Sequence, residues 1–219
     1  MYSLWNWILD SFFPETCIGC KNPSSRICES CLSLLTQNPR ETHPDIYAGF
    51  DYRNTLIKQA IWHLKYHKQS SLGILLGSLL YEAYIEEIAT LHEFHKGSMI
   101  TLVPVPLFKH KQRIRGYNQA EKIAQGFRDA CIKSGIPCQI DTHLIIKTKD
   151  TTPQARISDR KKRLKNVRGV FSCTQTHGCA NKIIIVIDDV TTTGGTLTEI
   201  MNLCLKNGAL HAQGFAVAH

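Results

Sequence analysis

The sequence predicts an α/β protein built on a doubly wound parallel sheet flanked by helices, with a small cysteine-bound metal module in front of it. Three observations carry this expectation. From Tyr47 onward, short β-branched runs alternate with segments of helical apolar spacing, the pattern of strands joined by crossover helices. Lys182–Ile187 is almost continuous isoleucine and valine, the mark of a strand buried on both faces. Two Cys-x-x-Cys pairs stand upstream of all this, Cys17/Cys20 and Cys28/Cys31.

The elements follow in order. Tyr2–Pro14 carries Leu4, Trp5, Ile8, Leu9 and Phe12 at helical spacing and reads as a short helix packing an aromatic face, with a membrane-surface anchor as the alternative. It has no basic n-region or small-residue cleavage site, so it does not read as a signal peptide. Pro39, Pro44 and the polar residues between them read as a linker. The expected division is residues 1–45 for the N-terminal helix and metal module, and 46–219 for the main domain. Tyr47–Tyr52 is a strand. Leu56–Leu64 is an amphipathic helix, and Ser71–Ile88 a second helix with a broad apolar face. Met99–Val105 is a buried strand, Ala120–Lys133 a helix, and His143–Ile146 a further strand. After Lys182–Ile187 comes a helix over Thr196–Lys206, closed by Asn207-Gly208, and a last strand over Ala212–Val217.

Composition narrows the class. The 219 residues are 43% hydrophobic and 20% charged, ample for a packed core and unlike a disordered chain. No apolar run is long enough to span a bilayer. Of nine cysteines, four form the two pairs and five are scattered singly, which fits a metal site plus free thiols in a reducing, cytoplasmic compartment. The net charge of +8 points to a polyanionic partner, whether nucleic acid or a phosphorylated small molecule.

Lys182–Leu197 (KIIIVIDDVTTTGGTL) is the most informative stretch. Asp188 and Asp189 end a hydrophobic strand, where open α/β sheets place their ligands. Thr191, Thr192, Thr193, Gly194, Gly195 and Thr196 then lead into a helix. Glycines let backbone approach a phosphate, threonine hydroxyls add donors, and the helix N-terminus adds free N–H groups and a positive dipole end. Two carboxylates suit the vicinal hydroxyls of a ribose and the Mg²⁺ that accompanies a pyrophosphate. The loop is neither a Walker loop nor a dinucleotide fingerprint, since it has no Gly-Lys-Ser/Thr and no Gly-x-Gly-x-x-Gly.

Two basic blocks stand beside it. Lys109, Lys111, Arg113 and Arg115 follow Val103-Pro104-Val105-Pro106 and read as a basic loop able to hold pyrophosphate, before Asn118 caps the next helix. Thr151–Phe171 carries Arg156, Arg160, Lys161, Lys162, Arg163, Lys165 and Asn166. It reads as a basic loop that closes over the site, or lines a channel for single-stranded nucleic acid. In the front module, Cys17, Cys20, Cys28 and Cys31 form a four-thiolate set suited to structural zinc, with a thioredoxin-like redox pair as the weaker alternative.

Residues 183–197 resemble the 5-phosphoribosyl-1-pyrophosphate (PRPP) binding motif of type I phosphoribosyltransferases. The resemblance implies that Asp188 and Asp189 grip the ribose hydroxyls, with a catalytic part in any transfer, and that Thr191 through Thr196 hold the 5-phosphate. Members acting on 6-oxopurines carry an aspartate where this chain has Thr192, which disfavours such a base. Four ordered motifs, the paired Cys-x-x-Cys, VPVP…RGYNQAE, TPQA…R…N…F and IDDVTTTGGTL, together resemble the ComF/GntX (ComFC-like) proteins. That resemblance implies a PRPP-binding protein of natural transformation, acting on incoming single-stranded DNA in the cytoplasm beside other competence proteins. Phosphoribosyl transfer is a further implied activity. The alternatives are a nucleobase-salvage phosphoribosyltransferase not of the 6-oxopurine type, and a PRPP-sensing scaffold without chemistry.

Overall fold

The computed structural model describes residues 16–23, 25–96, 98–149, 169–175 and 178–219. Tyr2–Pro14 and most of the Thr151–Phe171 block therefore lie outside the described residues. In the remainder, six strands form one sheet: β1 (Arg40–His43), β2 (Ile46–Phe50), β3 (Ile100–Pro104), β4 (Cys138–Ile140), β7 (Ile183–Val190) and β8 (His211–Ala218). Their order is β1-β2-β8-β7-β3-β4, every pairing parallel except that of the edge strand β1 with β2. Crossovers run through helices α2 (Thr55–Tyr66), α3 (Ser70–Ala83), α4 (Ile85–Phe94), α5 (Lys109–Arg115), α6 (Gln119–Lys133) and α7 (Gly195–Lys206). A short helix α1 (Glu29–Ser33) belongs to the cysteine module. Among the described residues, no helix is long and apolar enough to cross a membrane.

The central strand shows why the sheet is covered on both sides. All five residues Ile183–Ile187 are fully buried. Side chains alternate across a strand, so Ile183, Ile185 and Ile187 enter one core while Ile184 and Val186 enter the other. Burying each contributes about 1.5–3 kcal/mol. The first core is closed by α2, α3, α4 and α6, the second chiefly by α7. Helices α3 and α6 cross in direct backbone contact: a Cβ on Gly77 would stand 1.9 Å from the Ile123 carbonyl oxygen, and one on Gly126 1.8 Å from that of Ile74.

Four expectations need correction. The Pro39–Pro44 segment is not a linker, because Arg40–His43 adds an antiparallel edge strand. The single helix expected over Ser71–Ile88 breaks at Tyr84, which leaves the helical region at φ −133°, ψ 26°. Its hydroxyl accepts from the Arg40 N–H at 2.7 Å and donates to the Ala48 carbonyl at 2.6 Å, so the break ties the helix pair to β1 and β2. The strand near His143 is β5 (Ile145–Lys147). It leaves the main sheet to pair antiparallel with β6 (Phe171–Cys173), and the short β4 takes the sheet edge instead. The basic segment Lys109–Arg115 is a helix rather than a loop.

The cysteine module is fused to the main core. Ile18 and Ile27 are buried in the same cluster as Ile57, Ile61 and Leu64 of α2. Gly19 lies against Leu56 and against the Cys31 sulfur.

Candidate PRPP site and metal centre

The Asp-Asp pair and the threonine loop sit at the carboxyl edge of the sheet. β7 carries the chain through Asp188 and Asp189, and the Thr191 N–H continues the ladder to the Ala218 carbonyl at 2.9 Å. The loop then turns into α7 at Gly194, whose φ of +70° is the left-handed region that favours glycine. A side chain there is excluded a second way: a Cβ would stand 2.0 Å from Cδ2 of His43 on the edge strand. α7 begins directly after the turn, so its N-terminus and positive dipole end face the loop, the setting that favours an anion. Thr193 Oγ1 is buried without a hydrogen-bond partner, an orphan that a phosphate oxygen would satisfy. The Thr192 carbonyl is held from outside by His219 Nε2 at 3.1 Å, and His219 Nδ1 in turn meets Arg40 Nη2 at 3.0 Å.

The two carboxylates differ. Asp189 is 5% exposed, and its Oδ2 lies 2.8 Å from Lys65 Nζ at the end of α2. Asp188 accepts from the Asp189 N–H at 2.8 Å. Burial and then the neighbouring Asp189 charge push the Asp188 carboxyl up to about 7, with Lys65 and Lys147 partly opposing the rise. Lys65 is itself shifted upward. Burial works against its charge, but Asp189 and Asp188 more than restore it.

Of the first basic block, Arg115 acts on the Lys65 ammonium, donates to Gln119 Oε1 at 2.7 Å and lies 5.7 Å over the Tyr66 ring. Lys109 and Arg113 are exposed on α5, and Lys111 is half-buried there. The Asn118 cap is as expected, its side chain accepting from the Ala120 N–H at 3.0 Å. Arg156, Arg160, Lys161, Lys162 and Arg163 lie outside the described residues.

Sequence reading missed Lys65, Lys147 and the supports Arg40, His43 and His219. Lys65 had a signal: it falls four and eight residues after the apolar Ile61 and Ile57, on the edge of the buried face of α2.

The four cysteines of the module converge. The sulfurs of Cys17, Cys20, Cys28 and Cys31 all lie within 4.8 Å of one another, with Cys20 and Cys28 3.6 Å apart. A tetrahedral ion with Zn–S bonds of about 2.3 Å would hold its sulfurs roughly 3.8 Å apart, so the set fits zinc. The Cys28 N–H points at the Cys17 sulfur at 3.4 Å, as backbone amides do toward a thiolate. Burial opposes the Cys17 thiolate, yet the surrounding amides bring it down to about 6, while Cys31, donating to Cys28 and Cys17, rises to about 12.

No family model matches the chain. It is 29% identical over 157 residues to DNA utilization protein YhgH of Escherichia coli K12, covering 70% of this chain and 63% of that protein. It is 26% identical over 203 residues to Competence protein F of Haemophilus influenzae, covering 92% of this chain and 83% of that one. The chain thus spans under two thirds of YhgH and most of Competence protein F. The likeness to competence proteins carried by the four motifs is borne out by Competence protein F, while YhgH is named for DNA utilization. Solved structures that align with it include a Bacillus subtilis glutamine PRPP amidotransferase complexed with ADP and GMP (TM-score 0.36, 18% identity, 67% of this chain and 26% of that) and a Leishmania donovani hypoxanthine-guanine phosphoribosyltransferase (TM-score 0.38, 13% identity, 67% of each).

Proposed function

We propose that the chain is a ComFC-like PRPP-binding protein that supports the handling of incoming single-stranded DNA during natural transformation in the cytoplasm. The observation that carries the PRPP reading is the junction of β7 and α7: two carboxylates, then a threonine-glycine turn at a helix N-terminus, with Thr193 Oγ1 buried and unsatisfied. The DNA reading rests on similarity to proteins named for competence and DNA utilization.

In this reading Asp188 and Asp189 accept hydrogen bonds from the ribose hydroxyls, and Thr191–Thr196 with the first turn of α7 receive the 5-phosphate. Lys65, beside the acid pair, and Arg115, which acts on it, would help offset the pyrophosphate charge. The adjacent carboxylate oxygens are a donor set suited to Mg²⁺, which, bound with PRPP, would neutralise the leaving pyrophosphate. Were phosphoribosyl transfer to occur, the two aspartates would also stabilise positive charge developing on the sugar. Zinc held by Cys17, Cys20, Cys28 and Cys31 is structural here, since an all-cysteine shell leaves no open position.

Isothermal titration of PRPP with Mg²⁺ tests the reading. Saturable binding is expected, lost in Asp188→Asn/Asp189→Asn. Equal affinity in the wild type and that variant would sink it. Pyrophosphate release against a panel of nucleobases then decides whether the bound PRPP is turned over.

A further inference from the structure

We propose that the outer face of α2 is a stacking track for single-stranded nucleic acid, leading from the cysteine module to the PRPP site; this rests on the strand-handling half of the function proposed above. Two large aromatic side chains stand one helical turn apart on that face, Trp62 at 50% and Tyr66 at 64% exposure. Their ring centroids are 6.2 Å apart. The pair forms a contiguous aromatic patch outside the complete buried face of Ile57, Ala60, Ile61 and Leu64, and it is contiguity that marks an exposed apolar surface as a contact site.

The surroundings of the two rings say what covers them. The His67 ring lies tilted against Trp62 with centroids 4.3 Å apart, and the Arg115 guanidinium lies over Tyr66. At the other end, the positive charges of Lys21 and Arg26 on the cysteine module act on the His63 ring, whose pKa falls through burial first, then His67, then these two cations. Exposed rings with cations beside them suit unpaired bases and phosphates, whereas an apolar protein surface would leave the cations desolvated. The spacing favours a strand over a free base. At 6.2 Å it exceeds the ~3.4 Å rise of stacked duplex nucleotides, so it fits an extended strand with splayed bases. The track also ends at chemistry: Lys65, next to Tyr66, pairs with Asp189 of the sugar site.

The test is fluorescence anisotropy of a labelled oligothymidylate longer than about 16 nucleotides, a length that fills a single-strand site. Trp62→Ala and Tyr66→Ala should each weaken binding about ten-fold, and Trp62→Phe should keep most of the affinity. The slope of log affinity against log salt should be unchanged in Trp62→Ala and reduced by about 0.7 in Lys21→Ala, one lost phosphate contact. Wild-type affinity in the Trp62→Ala/Tyr66→Ala double variant overturns the proposal. So does no strand binding by the wild type, or competition by free thymidine as strong as by the strand. PRPP titration into Trp62→Ala separates the two readings. Undiminished PRPP affinity with weakened strand binding supports the track, while absent PRPP binding in a wild type that still grips the strand through Trp62 removes the PRPP site alone.

Discussion

Lys65 Nζ stands 2.8 Å from Asp189 Oδ2, joining the end of the first long crossover helix to the acid pair at the centre of the sheet. Both side chains are mostly withdrawn from water, at 21% and 6% exposure. The acid pair therefore carries its own counter-ion. Two adjacent carboxylates repel each other, and the ammonium keeps at least one of them charged.

Replacing one partner leaves the other buried and uncompensated. Lys65→Met should cost about 3 kcal/mol of unfolding free energy at neutral pH. Lys65→Met/Asp189→Asn should recover much of that loss, a coupling of roughly 1–3 kcal/mol across the cycle. Urea unfolding of the four proteins measures it. Additive losses would show that the pair is contact without interaction.

Asp188 sets a pH dependence whose sign follows from its raised pKa. Between about pH 4 and its value of about 7, the folded chain keeps a proton that the unfolded chain has released. Its contribution to stability is therefore full below about pH 4 and is lost as pH climbs through about 7. Asp188→Asn should flatten this portion of the stability–pH curve. Titration of PRPP with Mg²⁺ near pH 6.5, in two buffers of different ionisation heat, should show proton release on binding that Asp188→Asn abolishes.

How much of this was legible in the sequence depends on the range of the interaction. The strand Ile183–Val190, the loop behind it and the Asn118 cap are set by neighbours a few residues away, and periodicity and turn chemistry expose them. Tyr84 is different. Its helix break is fixed by hydrogen bonds to Arg40 and Ala48, more than thirty residues distant, and no local pattern announces them. Arg40–His43 is polar and flanked by prolines, so it reads as linker until β2 offers it an edge. Lys65 sits on the same footing. Its helix was plain, but the acid it meets lies on another element, and only the tertiary fold brings them together.

The cysteine module should behave as part of the main domain. Ile18 and Ile27 each bury about 1.5–3 kcal/mol of side chain in the core that also holds α2. A structural zinc in such a module supplies on the order of 10 kcal/mol. A strong chelator should lower the melting temperature of the whole protein in one transition and release about one zinc per chain, and Cys31→Ser should do the same without chelator. A separate low-temperature transition, with the main one unmoved, would mean an independent module.

Gly194 is the sharpest single-residue test of the proposed phosphate loop. Two costs fall on any replacement: φ of +70°, about 1 kcal/mol or more for alanine, and a Cβ 2.0 Å from the His43 ring. Gly194→Ala should lower stability by about 2 kcal/mol and sharply weaken PRPP binding, because the amides at the start of α7 can no longer be presented. His43→Ala removes the steric part alone. Gly194→Ala/His43→Ala should thus regain stability relative to Gly194→Ala, but not reach His43→Ala, since the backbone strain stays. Thermal melts and PRPP titrations on the three variants separate the parts. If His43→Ala gave back nothing, the edge strand would have no hold on the loop, and the chain of contacts from β1 to the proposed phosphate site would be wrong.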